Sequence, residues 1–129
     1  MLLVDTSVWI ESFRARGGLD LEELVDIDEV VTCLPVIQEV LQGFDDQRAY
    51  NVAREAMLHL PCVESPLRQP VFQEAVDLFR SARRAGLSVR SGVDCLIAAC
   101  ALRNALPVLH RDRDFTLLAR VAPLEERAV

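Results

Sequence analysis

A chain of 129 residues suffices for one domain that buries roughly two thirds of its unfolded surface, so a core needs neither metal nor disulfide. Hydrophobic residues at 51% beside charged ones at 26% exclude a disordered chain, and charge-free runs such as Cys95 to Leu102 fall far short of the roughly 20 residues of a membrane span. Twenty acids against fourteen arginines leave a net charge of -6, which repels nucleic acid at large, and the absence of lysine excludes any mechanism that needs a catalytic lysine.

In chain order, Leu2 to Val4 is an apolar run suited to a strand buried on both faces. Val8, Trp9, Ile10 and Phe13 then predict a helix over Ser7 to Arg16, closed by Gly17-Gly18. Leu19 to Ile27 reads as a second short helix with an acidic outer face, and Val30 to Cys33 as the next strand. Pro35 opens a helix carrying Val36, Ile37, Val40, Leu41 and Phe44 inward, and another spans Asp46 to Leu58. Leu60 to Val63, interrupted by Pro61, predicts an edge strand. A helix from Pro70 to Ala85 stops at Gly86, and Ser91 starts one whose uncharged section marks it as buried against a sheet. Pro107 to Leu109 is a further strand, followed by "HRDRDF" and a helix around Phe115 to Val121. With no repeat or linker, residues 1–129 form a single domain.

Cys33, Cys62, Cys95 and Cys100 lie in apolar runs without CxxC spacing and read as free thiols. With no basic-then-apolar leader at its start, the chain is expected in the cytoplasm.

Alternating strands and helices predict a parallel sheet covered on both faces, whose ligands gather beyond the carboxyl ends of the strands. Asp5 follows the first strand; Asp112 and Asp114 follow the last; Asp94 heads the uncharged helix. Each also reads singly as ordinary local structure: Asp5 as a helix cap, Asp94 as the partner of Ser91 in a capping box, Asp112 or Asp114 as a turn or cap residue. Their convergence is what caps alone do not explain. Clustered carboxylates repel one another and call for a cation, and oxygen donors without His or Cys select magnesium or manganese over zinc. Such a centre suits hydrolysis of a phosphodiester. Glu39 lies off the apolar face of its helix and, by that wheel alone, reads as a solvated surface residue.

The chain resembles the PIN-domain ribonucleases over nearly its whole length, and in size and layout the VapC-type toxins of VapBC toxin–antitoxin pairs. The motifs that carry the resemblance are "LLVDTSVWIE", "LPVIQEVLQG" and "GVDCLIAACALRNALPVLHRDRDF". It implies an α/β fold, a three-layer α/β/α sandwich on a parallel sheet of four or five strands. It implies Asp5, Glu39, Asp94 and Asp112 as the catalytic acids, with Asp5, Asp94 and Asp112 on a Mg2+ or Mn2+ ion. Thr6 or Ser7 becomes a hydroxyl near the site and Asp114 an auxiliary acid. It also implies an RNA substrate, a homodimer and a small antitoxin that blocks the site. His110 departs from the family, which often has Thr or Ser ahead of the acid; it reads as a phosphate contact or as the end of its strand, the latter favoured.

RNA must still approach an acidic mouth. Arg80, Arg83, Arg84 and Arg90, ahead of Asp94, together with Arg111 and Arg113, are candidate phosphate contacts, and each reads equally as a solvated helix charge. Trp9 and Phe13 share a face with apolar neighbours and belong to the core or an interface. A phosphoacceptor receiver would carry a lysine, a dehalogenase-like phosphatase an Asp-x-Asp where Ser7 stands, and a metal-free ribonuclease a meeting of His59 and His110. The remaining alternative is a catalytically silent α/β module that binds a protein through its acidic edge.

Overall fold

The computed structural model describes every residue except Ala15. Five strands form one parallel sheet in the order β3-β2-β1-β4-β5: β1 is Leu2–Val4, β2 Val30–Cys33, β3 Cys62–Val63, β4 Val108–His110 and β5 Glu126–Ala128. Leu3 pairs with Val31 on one side and Val108 on the other, so β1 is the central strand. That placement explains a segment with no polar alternation: both faces of Leu3 and Val4 are covered, and neither residue is exposed.

The helices are α1 (Thr6–Ser12), α2 (Leu21–Leu24), α3 (Leu34–Gln42), α4 (Gln47–Leu58), α5 (Gln69–Arg84), α6 (Gly92–Arg103) and α7 (Arg113–Leu118). Contacts group them into two sets that touch where α3 meets α6: α1 packs on α2 and α3, and α3 on α4, whereas α5, α6 and α7 pack on one another. Right-handed crossovers put the first set on one face of the sheet and the second on the other, completing three layers. Helix α6 is the inner member of its layer, packed against α3, α5 and α7, and Cys95, Ile97, Ala98, Ala99, Cys100 and Ala101 are all buried. A charge on any of these positions would lose its water, which is why the run carries none.

Growth of the sheet reverses once. The chain builds outward from β1 to β2 and β3, then crosses back through α5 and α6 to lay β4 on the other side of β1. The crevice beyond the carboxyl ends of β1 and β4 is therefore the switch point at which such sheets bind ligands.

Four differences from the sequence expectations have local causes. Helix α1 stops at Ser12, whose hydroxyl donates to the Trp9 carbonyl at 2.8 Å; part of the longer helix expected, Ala15, lies outside the described residues. Gly18 is required nearby, because a Cβ there would sit 2.3 Å from the Glu11 carbonyl. The helix expected over Leu19 to Ile27 is split into α2 and a 3-10 turn, Ile27–Glu29, since Asp20 and Asp26 each cap a new start by accepting an N–H two residues on. The last helix runs from Arg113 to Leu118, not to Val121. Finally, β5 was not expected as a strand: it is an edge strand whose Arg127 and Ala128 are exposed, so it needs no apolar run and shows none. The edge position of β3, the stop after α5 and the four free cysteines are as expected.

Candidate active site

Each acid at the crevice is placed by a helix start. Asp5 is the N-cap of α1: its Oδ2 accepts from the Ser7 amide at 3.1 Å and the Ser7 hydroxyl at 2.5 Å. The Ser7 hydroxyl in turn accepts from the Arg111 amide at 2.9 Å, tying the end of β1 to the loop after β4. Asp94 is the third residue of α6, behind the Ser91 cap whose hydroxyl accepts its amide at 3.3 Å. Asp112 caps α7, taking the Asp114 amide on Oδ1 at 2.9 Å. Asp114 reaches back to α6, and its Oδ2 accepts from the Arg90 and Ser91 amides at 3.0 Å each. The capping roles and the clustering are thus one design, because three helix starts, those of α1, α6 and α7, open on the same crevice.

Oxygens of Asp94, Asp112 and Asp114 lie within 4.8 Å of one another. Asp114, expected as an auxiliary, belongs to this closest trio, while Asp5 borders it and opposes the Asp94 charge. Glu39 accepts from the Thr6 hydroxyl at 2.8 Å and adds its charge beside Asp5. The structure therefore brings together Asp5, Thr6, Ser7, Glu39, Asp94, Asp112 and Asp114. Of these, Glu39 is the residue that helical periodicity misses: its contact is with Thr6, 33 positions earlier on a different helix.

The cost of this gathering shows in the acids. Burial pushes the Asp94 carboxyl up to about 9, helped by the adjoining Asp112 carboxyl and by the charges of Asp5, Asp112 and Asp114. Burial also raises Asp5, and Glu39 raises it further, against the lowering pull of its hydrogen bonds from Ser7 and Thr6. Asp5 Oδ1, Asp94 Oδ2 and Asp114 Oδ1 are buried with no hydrogen-bond partner among the described residues. An orphaned carboxylate oxygen normally costs several kcal/mol or takes up a proton; three together, with only oxygen donors around them, fit a hard divalent cation.

Arg90, Arg111 and Arg113 are exposed and flank these acids in sequence, Arg90 before Ser91 and the other two on either side of Asp112. Arg111 is partly committed, its Nε donating to the Val129 carbonyl at 3.0 Å and its guanidinium 3.7 Å from Glu11. Arg80, Arg83 and Arg84 are exposed on the last turns of α5, which forms a hairpin with α6 and so ends on the same side as Asp94; Arg83 stacks over Phe79 at 5.1 Å. His110 is buried rather than open to a phosphate, as the strand-end reading expects. No helix among the described residues is long and apolar enough to cross a membrane.

Residues 2–121 match the family model described as the PIN domain. The chain is 36% identical to ribonuclease VapC11 of Mycobacterium tuberculosis strain H37Rv over 132 residues, spanning 97% of this chain and 96% of that one. It is equally similar to the VapC ribonuclease Mb1587 of Mycobacterium bovis, at 36% identity and the same coverage. Among solved structures, it superimposes on VapBC-5 from Mycobacterium tuberculosis, described as a member of the VapBC family of toxin–antitoxin systems, with a TM-score of 0.73, 26% identity and coverage of 99% and 98% of the two chains.

Proposed function

The chain belongs to the PIN-domain family, among the VapC ribonucleases, and from that membership we propose that it is an endoribonuclease hydrolysing RNA phosphodiester bonds at the β1–β4 crevice. The observation that carries this reading is the set of buried, unpartnered oxygens on Asp5, Asp94 and Asp114, in an all-carboxylate group that includes Asp112. A silent interaction module gives no account of them, because a surface that only docks a protein gains nothing from burying acids against one another.

Asp5, Asp94 and Asp112, with Asp114 beside them, would hold Mg2+ or Mn2+. Such a cation supplies neutralisation of the charge that develops on a phosphodiester and acidification of an attacking water. Glu39, oriented by the Thr6 hydroxyl beside Asp5, would serve as a proton acceptor at this edge of the site. The Asp114 bonds to the Arg90 and Ser91 amides hold the start of α6 in place, so Asp94 faces Asp112 at a fixed separation. Arg90, Arg111 and Arg113 supply phosphate contacts around an otherwise repelling mouth, and Arg80, Arg83 and Arg84 extend that track along α5.

The same reading makes the protein a toxin held in check by a small antitoxin, acting as a homodimer in the cytoplasm, where its four free cysteines stay reduced. Support for a protein partner comes from an apolar groove beside Glu39, lined by Leu34, Leu67, Phe72, Val93 and Leu96, with Phe72 and Val93 exposed.

Cleavage of single-stranded and structured RNA with Mn2+ or Mg2+ tests the proposal. Asp5→Asn and Asp94→Asn are each expected to cut the rate about a hundredfold or more while leaving the circular dichroism spectrum unchanged. Undiminished cleavage by both variants, or full activity in excess chelator, would sink the mechanism.

A further inference from the structure

His110 ends β4, is buried, and packs against Phe115 with ring centroids 5.2 Å apart. Both its ring nitrogens are engaged. Nδ1 lies 3.1 Å from the Asp112 amide nitrogen, and Nε2 is hydrogen-bonded to Glu126 Oε2 on β5. A backbone amide can only donate, so Nδ1 must present its lone pair, which puts the ring proton on Nε2, aimed at the Glu126 carboxylate. Glu126 thereby selects the one tautomer that can receive the Asp112 N–H. Thr116, on α7, adds a hydroxyl to the same Glu126 oxygen at 3.4 Å.

From there the bonds run on into the site. With its amide held by His110, Asp112 accepts the Asp114 amide, and Asp114 accepts the two amides that precede α6 and Asp94. Resting on the metal reading of the acidic group, we propose that His110 and Glu126 are positioning residues, a hydrogen-bonded pair, buried at His110 and half-buried at Glu126, that aligns Asp112 and the loop around it for the cation. A histidine that merely filled space would need no acceptor facing Asp112 and no carboxylate behind it.

The test uses the full-length protein, with Mn2+ affinity read by the paramagnetic resonance of free Mn2+, thermal midpoints, and the Asp112 and Asp114 amide signals of the metal-free protein. His110→Leu, which keeps bulk but no acceptor, is expected to weaken Mn2+ binding about ten- to hundredfold and shift the Asp112 amide signal. His110→Asn restores an acceptor near the Nδ1 position and is expected to recover most of the affinity. Glu126→Ala should weaken binding in the same direction, and Glu126→Gln, whose amide oxygen still accepts from Nε2, should largely restore it. Because Glu126 lies on an edge strand, its variants are expected to fold even where His110→Leu does not. Mn2+ bound equally by Glu126→Ala, Glu126→Gln and the unaltered protein, or a loss of stability with no change in affinity, would overturn the proposal and leave the metal reading standing. No Mn2+ binding by the unaltered protein would overturn the metal reading, and this inference with it.

Discussion

Asp94 is both the most strongly perturbed acid of the crevice and the residue whose sequence context is plainest, three positions after a serine cap at the head of an uncharged helix. Its carboxyl, raised from 3.8 to about 9 by burial and neighbouring acids, is protonated in the folded state over a pH range where the unfolded chain has released the proton. The folded form thus binds more protons between those limits, and its stability must fall as pH rises through them. Metal-free protein is accordingly expected to melt at a lower temperature at pH 9 than at pH 5, with Asp94→Asn flattening the difference and raising the midpoint at pH 9, as read by calorimetry in chelator. Asp5, raised in the same direction, adds to the slope. Asp5, Asp94 and Asp112 were legible as a converging set because strand ends and helix starts can be read locally. Glu39 was not, because no pattern within α3 encodes its bond to Thr6; the family motif supplied it. The pairing of His110 with Glu126 was invisible for a related reason, since Glu126 sits on a strand that leaves no apolar trace.

Among the elements, the ends of α5 and α6 make an instructive pair. Both close with the same two bonds: Leu87 N–H to the Ala82 carbonyl at 2.9 Å and Gly86 N–H to Arg83 at 3.0 Å after α5, Leu106 N–H to Ala101 at 2.9 Å and Ala105 N–H to Leu102 at 3.3 Å after α6. The residue between must adopt a left-handed backbone, which Gly86 does at φ 76° without strain and Ala105 does at φ 52° against its Cβ. Ala105→Gly is therefore expected to stabilise the protein by about 0.5–1 kcal/mol, the relief of strain exceeding the added entropy of the unfolded chain. The midpoint and slope of urea unfolding measure it. The stop after α5 was readable because a glycine marks it; that after α6 was not, since a helix forced to end by the approach to β4 tolerates an alanine there. The split of α2 from the following turn shows the same limit, as Asp20 and Asp26 cap two short helices where periodicity alone suggests one.

At the level of the whole molecule, alternating strands and helices disclosed a covered parallel sheet but not the order of its strands. That order depends on a crossover from one sheet edge to the other side of β1, made by packing that no single segment records. Under the proposed function, an acidic molecule that meets RNA through a handful of arginines should also respond sharply to salt. Arg113→Ala is expected to weaken RNA binding and to reduce the slope of log affinity against log salt by about 0.7, the value for one phosphate contact to a single strand. Filter binding from low to moderate salt, in chelator to prevent cleavage, provides the measurement, and an unchanged slope would remove Arg113 from the RNA path.

Among the described residues, β1 with β4 is the only strand pair joining residues 1–63 to residues 64–129. The first portion holds twelve acids against four arginines and the second eight against ten, so the two sides of this join attract over long range. At its mouth, once Asp94 has released its proton, the buried acids push apart over a few ångströms. Dissolved ions weaken charge effects beyond about 8–10 Å far more than those between buried neighbours. Brine therefore strips away the attraction and leaves the repulsion in place, so the join between the two portions is where a metal-free chain would first part.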